Sequence, residues 1–312
     1  MMQHEPGARM PVADQFSESE DDEGFEQFEF SDDEDAVDTS MDITSAERSL
    51  AKKIKQTVEE RQDLHNLSDM DYAQHAALVI DQSDRGDDPD LGLVLERIQG
   101  LQEFRIQYDV DHSPSQGVYY LDQMMTLQPG AILNVDVCPL TGEGVLAFNR
   151  GSIDPNIALQ CSPEDTVPEQ NWRIHAVASY YMVYAILASL QTTREGIFFL
   201  WDGHSMSWKN ISLTYSRRLV EEVWMHVPFK VSKLMEYNSN SSALIFWGLL
   251  KPLLPKAWTS VMDFGCQVDT TTPRTLSELY LQPNLEEAKH SILRRVHRLL
   301  SLRAKNEASF RL

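Results

Sequence analysis

Between residues 196 and 265 the chain alternates strand-like and helix-like segments, and one of its helices, 242–254, is apolar on every side. A helix without a polar face has to be buried or has to cover something apolar. The segment GIFFLWDG, 196–203, is a continuous apolar run, which is typical of a strand covered on both faces in a parallel sheet. Strand-like LMEYNSN precedes the apolar helix and TSVMDFG follows it. The pattern predicts an α/β fold with a mixed, mostly parallel sheet flanked by helices.

The negative charge of the chain is concentrated at its beginning. The formal net charge is −21, and segment 1–42 holds fifteen Asp or Glu residues with Arg9 as its one Lys or Arg. This segment has too few apolar residues to offset the entropy of ordering its backbone, and its like charges repel one another. We therefore predict an acidic disordered tail over 1–44. A chain of this charge is not expected to bind nucleic acid.

Helical spacing begins at Ser45, where Leu50, Ile54 and Val58 recur at intervals of four. Two more helices are predicted at 70–80 and 91–108. Together they indicate a small all-α helical module over 45–128. At the other end, 284–312 is predicted to be a basic amphipathic helix, which could pack on the domain, touch anionic lipid or bind the acidic tail; packing is the simplest of the three.

Residues 129–156, PGAILNVDVCPLTGEGVLAFNRGSIDPN, have the pattern of a hairpin followed by an Asp-Pro pair at Asp154 and Pro155. The apolar runs 131–137 and 145–149 flank the turn-like sequence Thr-Gly-Glu-Gly. In their order and spacing the hairpin, the Asp-Pro pair, the following helix and the strand and helix segments of 196–265 resemble the CRAL-TRIO lipid-binding domain. The resemblance covers 129–283 and is greatest to the branch of the tocopherol-transfer and retinaldehyde-binding proteins.

The resemblance implies a lipid-binding or lipid-transfer protein with a gated hydrophobic cavity and no covalent chemistry. A sheet covered by helices on one face leaves room for a cavity on the other, and helix 242–254 would lie across it as a mobile gate. The gate would close over one hydrophobic lipid in solution and open at a membrane. The residues expected to form the cavity and the gate are Tyr180, Tyr184, Phe198, Leu200, Tyr237, Leu244, Ile245, Phe246, Leu249, Leu250 and Leu253.

The same branch carries a basic patch for phosphoinositide phosphates such as phosphatidylinositol bisphosphate. The resemblance places Lys230 and Lys256 at two of its lysines, with Lys233 next to the first. Ser232 and Ser260 stand where the branch has arginines, so no guanidinium remains for bidentate contact with a phosphate. We expect phosphoinositide binding through the three lysines to be weak or altered in selectivity, and a solvated edge is an equal alternative.

Other interpretations of these segments stay open. An apolar helix is most often an ordinary core element, and Tyr180 and Tyr184 could simply pack against the sheet. The runner-up function is an adaptor that docks on membranes or proteins without cargo. An esterase is a third, because Asp202, His204 and Ser205 follow a strand, but Ser207 replaces the second Gly of a GxSxG turn. We predict no enzyme activity.

We predict a cytoplasmic protein that associates with membranes peripherally and reversibly. The beginning of the chain has no signal-peptide pattern, and the longest apolar stretch, 176–190, is too short to span a bilayer. No cofactor or metal is expected, since the cysteines and histidines lack ligand spacing. The acidic tract around Phe25, Phe28 and Phe30 resembles sequences that dock lipid-transfer proteins on a receptor, which makes a protein partner for the tail a further hypothesis.

Overall fold

The computed structural model describes residues 42–61, 67–84, 91–159, 170–266 and 284–312. The predicted tail, apart from its last three residues, and its phenylalanine tract lie outside these ranges. The predicted end of the lipid-binding domain, 267–283, does too. Within the described ranges no helix combines the length and the apolar content needed to cross a bilayer.

The described chain is an α/β structure. Its strands are β1 (Ile132–Val137), β2 (Gly144–Asn149), β3 (Ile197–Asp202), β4 (Val231–Tyr237) and β5 (Met262–Cys266). Its α-helices are α1 (Ser45–Glu59), α2 (Asp69–Asp84), α3 (Leu91–Gln107), α4 (Pro114–Leu127), α5 (Pro155–Leu159), α6 (Gln170–Ile186), α7 (Leu190–Glu195), α8 (Leu213–Arg218), α9 (Ser241–Leu250), α10 (Lys256–Thr259) and α11 (Leu285–Ser309). A π-helical segment, Leu219–Trp224, continues α8, and 3₁₀ turns cover Arg150–Ser152, Trp208–Asn210 and Lys251–Leu253.

The five strands form one sheet in the order β1-β2-β3-β4-β5. β1 is antiparallel to β2, and every other pair is parallel, which confirms the predicted mixed, mostly parallel sheet. The β1–β2 hairpin closes where the Gly142 amide donates to the Cys138 carbonyl at 2.8 Å. Gly142 has a φ of +75°, a left-handed conformation that glycine adopts without steric cost.

The helices α6, α8 and α9 pack on one face of the sheet. Strands β2 to β5 are added in one direction, so right-handed crossovers place their connecting helices on the same side. Phe199 and Trp201 face these helices, whereas Phe198 and Leu200 belong to a separate cluster on the opposite face. We expected helix 242–254 across a cavity on the opposite face. α9 instead joins the main core, because its aromatic residues pack against Trp201.

The N-terminal helices have a small apolar core of their own, which includes Ala51, Ile54, Val58 and Ile98. α11 packs against α4, α6 and β1 through Ile292, Val296, Leu299 and Leu300, so packing accounts for its apolar face. That a separate helical module is formed by 45–128 stays a prediction, because these helices also contact the rest of the chain.

A buried carboxylate connects the N-terminal helices to the C-terminal one. Asp71 on α2 pairs with the guanidinium groups of Arg105 on α3, at 3.2 Å, and Arg303 on α11, at 3.0 Å. The three side chains are at most 8% exposed. Despite its burial, Asp71 has a pKa well below the ordinary carboxyl value, because the two guanidinium groups stabilise its charged form. The stability that Asp71 contributes is therefore full at neutral pH and is lost on acidification below about pH 4.

Asp71→Asn should lower the free energy of unfolding by about 3–5 kcal/mol at pH 7, because it leaves two buried guanidinium groups without their counterion. Urea denaturation followed by circular dichroism measures the change. Glu221→Gln is the matched control, since Glu221 pairs with Arg217 at 2.8 Å in an exposed position and should cost less than about 1 kcal/mol. Equal losses in the two variants would contradict a central role for the buried carboxylate.

Candidate functional site

The inner face of α9 closes over the sheet. Ala243, Phe246, Trp247 and Leu250 are all buried. The Trp247 indole stacks on the indole of Trp201 with ring centroids 4.6 Å apart. The helix begins at the N-cap Asn240, whose side-chain oxygen accepts from the Ala243 amide and whose amide group donates to the Met206 carbonyl at 2.7 Å.

The outer face of α9 is also apolar, and it is in contact with solvent. Leu244, Ile245, Leu249 and Leu253, the last in the following 3₁₀ turn, are 43–52% exposed. Gly248 lies on the same side, where a Cβ atom would meet nothing within 4 Å. No packing constraint therefore requires glycine here, and its effect is to lower the stability of the helix. α9 thus has one apolar face against the core and another towards the solvent.

A cavity of about 30 Å³ lies beneath α9, between the helix, the sheet and the π-helical segment. This volume holds about one water molecule, whereas pockets for small ligands are about 300–1,000 Å³. A lipid chain would therefore fit only if α9 moved outwards. The cavity is lined by Arg150, Phe199, Trp201, Tyr215, Ser216, Leu219, Val220, Trp224, Val231, Leu234, Phe246, Leu250, Leu254 and Trp258.

Arg150 provides the charge in this lining. It follows the last residue of β2, and the Asn149 side chain accepts from the Gly151 amide at 3.1 Å, which fixes the turn that holds it. The Arg150 guanidinium carbon lies 4.7 Å from the Trp201 ring centroid and 4.4 Å from that of Phe246, so the cation lies between an indole of β3 and a phenyl ring of α9. Burial lowers the pKa of the Arg150 guanidinium, a group that is effectively always protonated in proteins.

Glu236 lies close to Arg150 at the carboxyl edge of the sheet, in register with Trp201. It is fully buried, and among the described residues neither of its carboxylate oxygens has a hydrogen-bond partner. Burial raises the pKa of Glu236 to about 7, with a further contribution from Asp202, while Arg150 and the nearby Ser239 hydroxyl oppose the shift. Ser239 lies outside hydrogen-bonding geometry. The carboxyl edge of a parallel sheet is where α/β proteins commonly place ligands.

Nine of the eleven residues predicted for the cavity and gate fall into three groups. Phe246 and Leu250 line the cavity. Leu244, Ile245, Leu249 and Leu253 form the outer face of α9. Phe198, Leu200 and Tyr237 belong to the cluster on the opposite face of the sheet, together with Leu133, Ala147 and Met235.

Tyr180 and Tyr184 are placed elsewhere, beside the buried ion cluster of Asp71. The Tyr180 hydroxyl accepts from Arg105 at 3.1 Å, and the Tyr184 hydroxyl donates to Glu307 at 2.9 Å. The Arg303 guanidinium carbon is 3.7 Å from the centroid of the Tyr184 ring. Both tyrosines therefore serve the packing of α3, α6 and α11 rather than the cavity under α9.

The three lysines expected to contact a headgroup differ in their surroundings. Lys230 pairs with Asp81 at 2.9 Å, and the neighbouring Ser232 hydroxyl donates to Glu143. Lys233 and Lys256 are exposed. Lys230 and Ser232 thus each contact a carboxylate. The negative charge of these carboxylates disfavours binding of a polyanion such as a phosphoinositide headgroup at this edge.

The hydrogen bonds of segment 202–205, which was considered for an esterase, differ from those that join a catalytic serine to a histidine base. The Ser205 hydroxyl donates to the Asn149 side-chain oxygen at 3.3 Å, and the Asp202 carboxylate accepts from the His204 backbone amide at 2.9 Å. The hydroxyl and the carboxylate are thus bound to an amide side chain and a backbone amide, respectively.

No model of a known protein family and no sequence of a characterised protein matches this chain. The resemblance to the CRAL-TRIO domain stays a prediction. Arg150 and Glu236, the charged residues beneath α9, were not among the residues predicted for the site. The available signal for Glu236 was an acidic residue among the apolar residues of LMEY at the end of β4.

Glu236→Gln should stabilise the fold in a manner that depends on pH. The unfolded carboxyl ionises near pH 4.5 and the folded one near pH 7, so wild-type stability falls as the pH rises between these values. At about 1.36 kcal/mol per pKa unit, the free energy of unfolding of the variant should exceed that of the wild type by up to about 3 kcal/mol at pH 8. At pH 5 the difference should be small. Urea denaturation at both values measures it.

The control for this experiment is Glu96→Gln, which changes an exposed carboxyl on α3. As a surface substitution it should change the free energy of unfolding by less than about 0.5 kcal/mol. A Glu236→Gln difference that does not grow between pH 5 and pH 8 would contradict the raised pKa of the buried carboxyl.

Proposed function

We propose that this protein binds one hydrophobic lipid beneath α9 and transfers or presents it at a membrane, with α9 as the gate. The observation that carries this proposal is that α9 is apolar on both faces, one over a cavity and the other exposed. A buried inner face alone would be consistent with an ordinary core helix. Four partly exposed aliphatic side chains on the outer face favour a surface that meets an apolar environment.

Charge next to the outer face supports a membrane as that environment. Lys251 follows α9 directly, Lys256 begins α10, and both are exposed. Lysines at this position attract the anionic lipids of a cytoplasmic leaflet, at about 1 kcal/mol for each residue near the surface. Phosphoinositide binding by Lys230, Lys233 and Lys256 remains a more specific prediction. It is better supported for Lys233 and Lys256, which are exposed, than for Lys230, which pairs with Asp81.

Movement of α9 is required by this proposal, and features of the helix favour it. Gly248 lowers its intrinsic stability without a packing role, and Pro252 lies in the 3₁₀ turn that follows it. The π-helical Leu219–Trp224 forms the facing wall, and its Met225 amide donates to the Val220 carbonyl at 2.9 Å across five residues. Such segments often mark functional sites in helices.

The proposal predicts one bound lipid for each chain. Native mass spectrometry of the purified protein, with extraction and identification of the lipid, tests it directly. A protein that carries no bound lipid after incubation with vesicles of total cellular lipid would contradict the proposed transfer function. That result would favour the alternative, an adaptor without cargo, which the small volume of the closed cavity also supports.

The outer face of α9 should be needed for membrane association. The double change Ile245→Ser and Leu249→Ser should reduce binding to vesicles of phosphatidylcholine and phosphatidylserine by about tenfold, since each lost aliphatic contact weakens insertion. Flotation of the vesicles measures the bound fraction. The matched control is Ile106→Ser with Leu140→Ser, which removes two more strongly exposed aliphatic side chains away from α9. Equal loss in both double variants would contradict a specific role for the helix.

A further inference from the structure

The Arg150 guanidinium beneath α9 lacks an acceptor among the described residues. Arg150 is 7% exposed, and its buried Nε has no hydrogen-bond partner. Its guanidinium carbon lies over the Trp201 and Phe246 rings, which offer no lone-pair acceptor to its N–H donors. Buried polar groups in folded proteins are normally hydrogen-bonded, and buried charges are normally paired. Arg150 is thus arranged to receive an acceptor from outside the chain.

The described surroundings offer Arg150 no ion pair. Glu236 is close enough for the two charges to influence one another, but it does not form a salt bridge with the guanidinium. The burial of this carboxyl favours its neutral form, with a pKa of about 7. The site therefore holds a full positive charge that is only partly compensated.

The remaining lining residues indicate that the rest of the ligand is apolar. Apart from Arg150, Tyr215 and Ser216 the cavity is lined by apolar side chains, which run from Phe199 and Leu234 on the sheet to Leu250 on α9. A polar acceptor at Arg150 would continue into an apolar body along these residues once α9 has moved. Ligands in such pockets are oriented by a few polar groups and bound largely by apolar contact.

We propose that the ligand beneath α9 is a long-chain carboxylic acid, whose carboxylate binds the Arg150 guanidinium and whose chain lies along the apolar lining. This inference rests on the proposed lipid-binding function. A planar carboxylate matches the fork of a guanidinium and carries one negative charge. Arg150 is the one Lys or Arg in the lining, so a dianionic phosphate would bring an uncompensated charge close to Glu236 and Asp202.

The proposal assigns a role to Glu236 as well. A carboxylate bound to Arg150 comes close to this second carboxyl, and like charges at short distance disfavour ionisation of both. Glu236 then has to be protonated in the complex. Removal of its charge should strengthen binding of an acid and leave binding of a neutral lipid unchanged.

Which headgroup the site prefers can be tested with oleic acid, oleyl alcohol and oleyl phosphate, which share the same apolar chain and differ in the headgroup. Displacement of a fluorescent lipid from the wild-type protein should show oleic acid binding about ten- to a hundredfold more tightly than the alcohol. Arg150→Gln should abolish this preference while retaining the alcohol, and Arg217→Gln, at an exposed position on α8, should keep it. Circular dichroism establishes that each variant is folded.

The outcomes separate this inference from the function on which it rests. Equal wild-type affinities for the acid and the alcohol, or tightest binding of oleyl phosphate, would overturn the carboxylate assignment and leave lipid binding intact. No binding of any of the three would overturn both. If Arg150→Gln does not fold, Glu236→Gln decides: the assignment requires tighter binding of oleic acid at pH 7.5, and unchanged or weaker binding overturns it.

Discussion

The buried carboxylate of Asp71 is the interaction on which the arrangement of the described helices depends. It compensates two guanidinium groups that come from α3 and α11, more than a hundred residues apart in the chain. Arg303 is further held by the Gln74 side chain and the Leu187 carbonyl, and Glu307 pairs with it. Each charge in this cluster has a partner, so the cost of its desolvation is offset and the position of α11 is defined. α11 in turn covers α4, α6 and β1.

The charges beneath α9 present the opposite case. Arg150 and Glu236 are as deeply buried as the members of the Asp71 cluster, yet they have no ion pair with each other, and the Arg150 guanidinium carbon lies over two aromatic rings. Buried charges that stabilise a fold usually have hydrogen-bond and ion-pair partners within the chain, whereas charges in binding sites often have unused donors or acceptors for a ligand. This contrast supports a structural role for the Asp71 cluster and is the basis for proposing ligand recognition at Arg150 and Glu236.

The strands and most of the long helices, with their order, followed from sequence patterns, but the faces of the sheet did not. GIFFLWDG predicted β3 and SALIFWGLLKPLLP predicted α9, because both patterns are local. An entirely apolar strand, however, gives no alternation from which to tell Phe199 from Phe198, so the face that α9 covers required the crossovers of the whole sheet. α4 was missed although Ser113 and Pro114 provide an N-cap and a first helical residue. Arg150 and Glu236 were missed because charged residues are usually exposed, and their burial is set by distant packing.

In the proposed function, opening of α9 would be limited by the unequal burial of its two faces. The inner face is almost completely buried, whereas the outer aliphatic residues are already about half covered in the closed form. At about 1.5–3 kcal/mol for full burial of a large apolar side chain, lifting the helix loses more burial than insertion of the outer face into a membrane can supply. The rest of the lost burial free energy would have to be supplied by a lipid chain that replaces Phe246, Trp247 and Leu250 against the sheet. A membrane without a suitable lipid would then bind the closed protein, and entry of the lipid would be the step that completes opening.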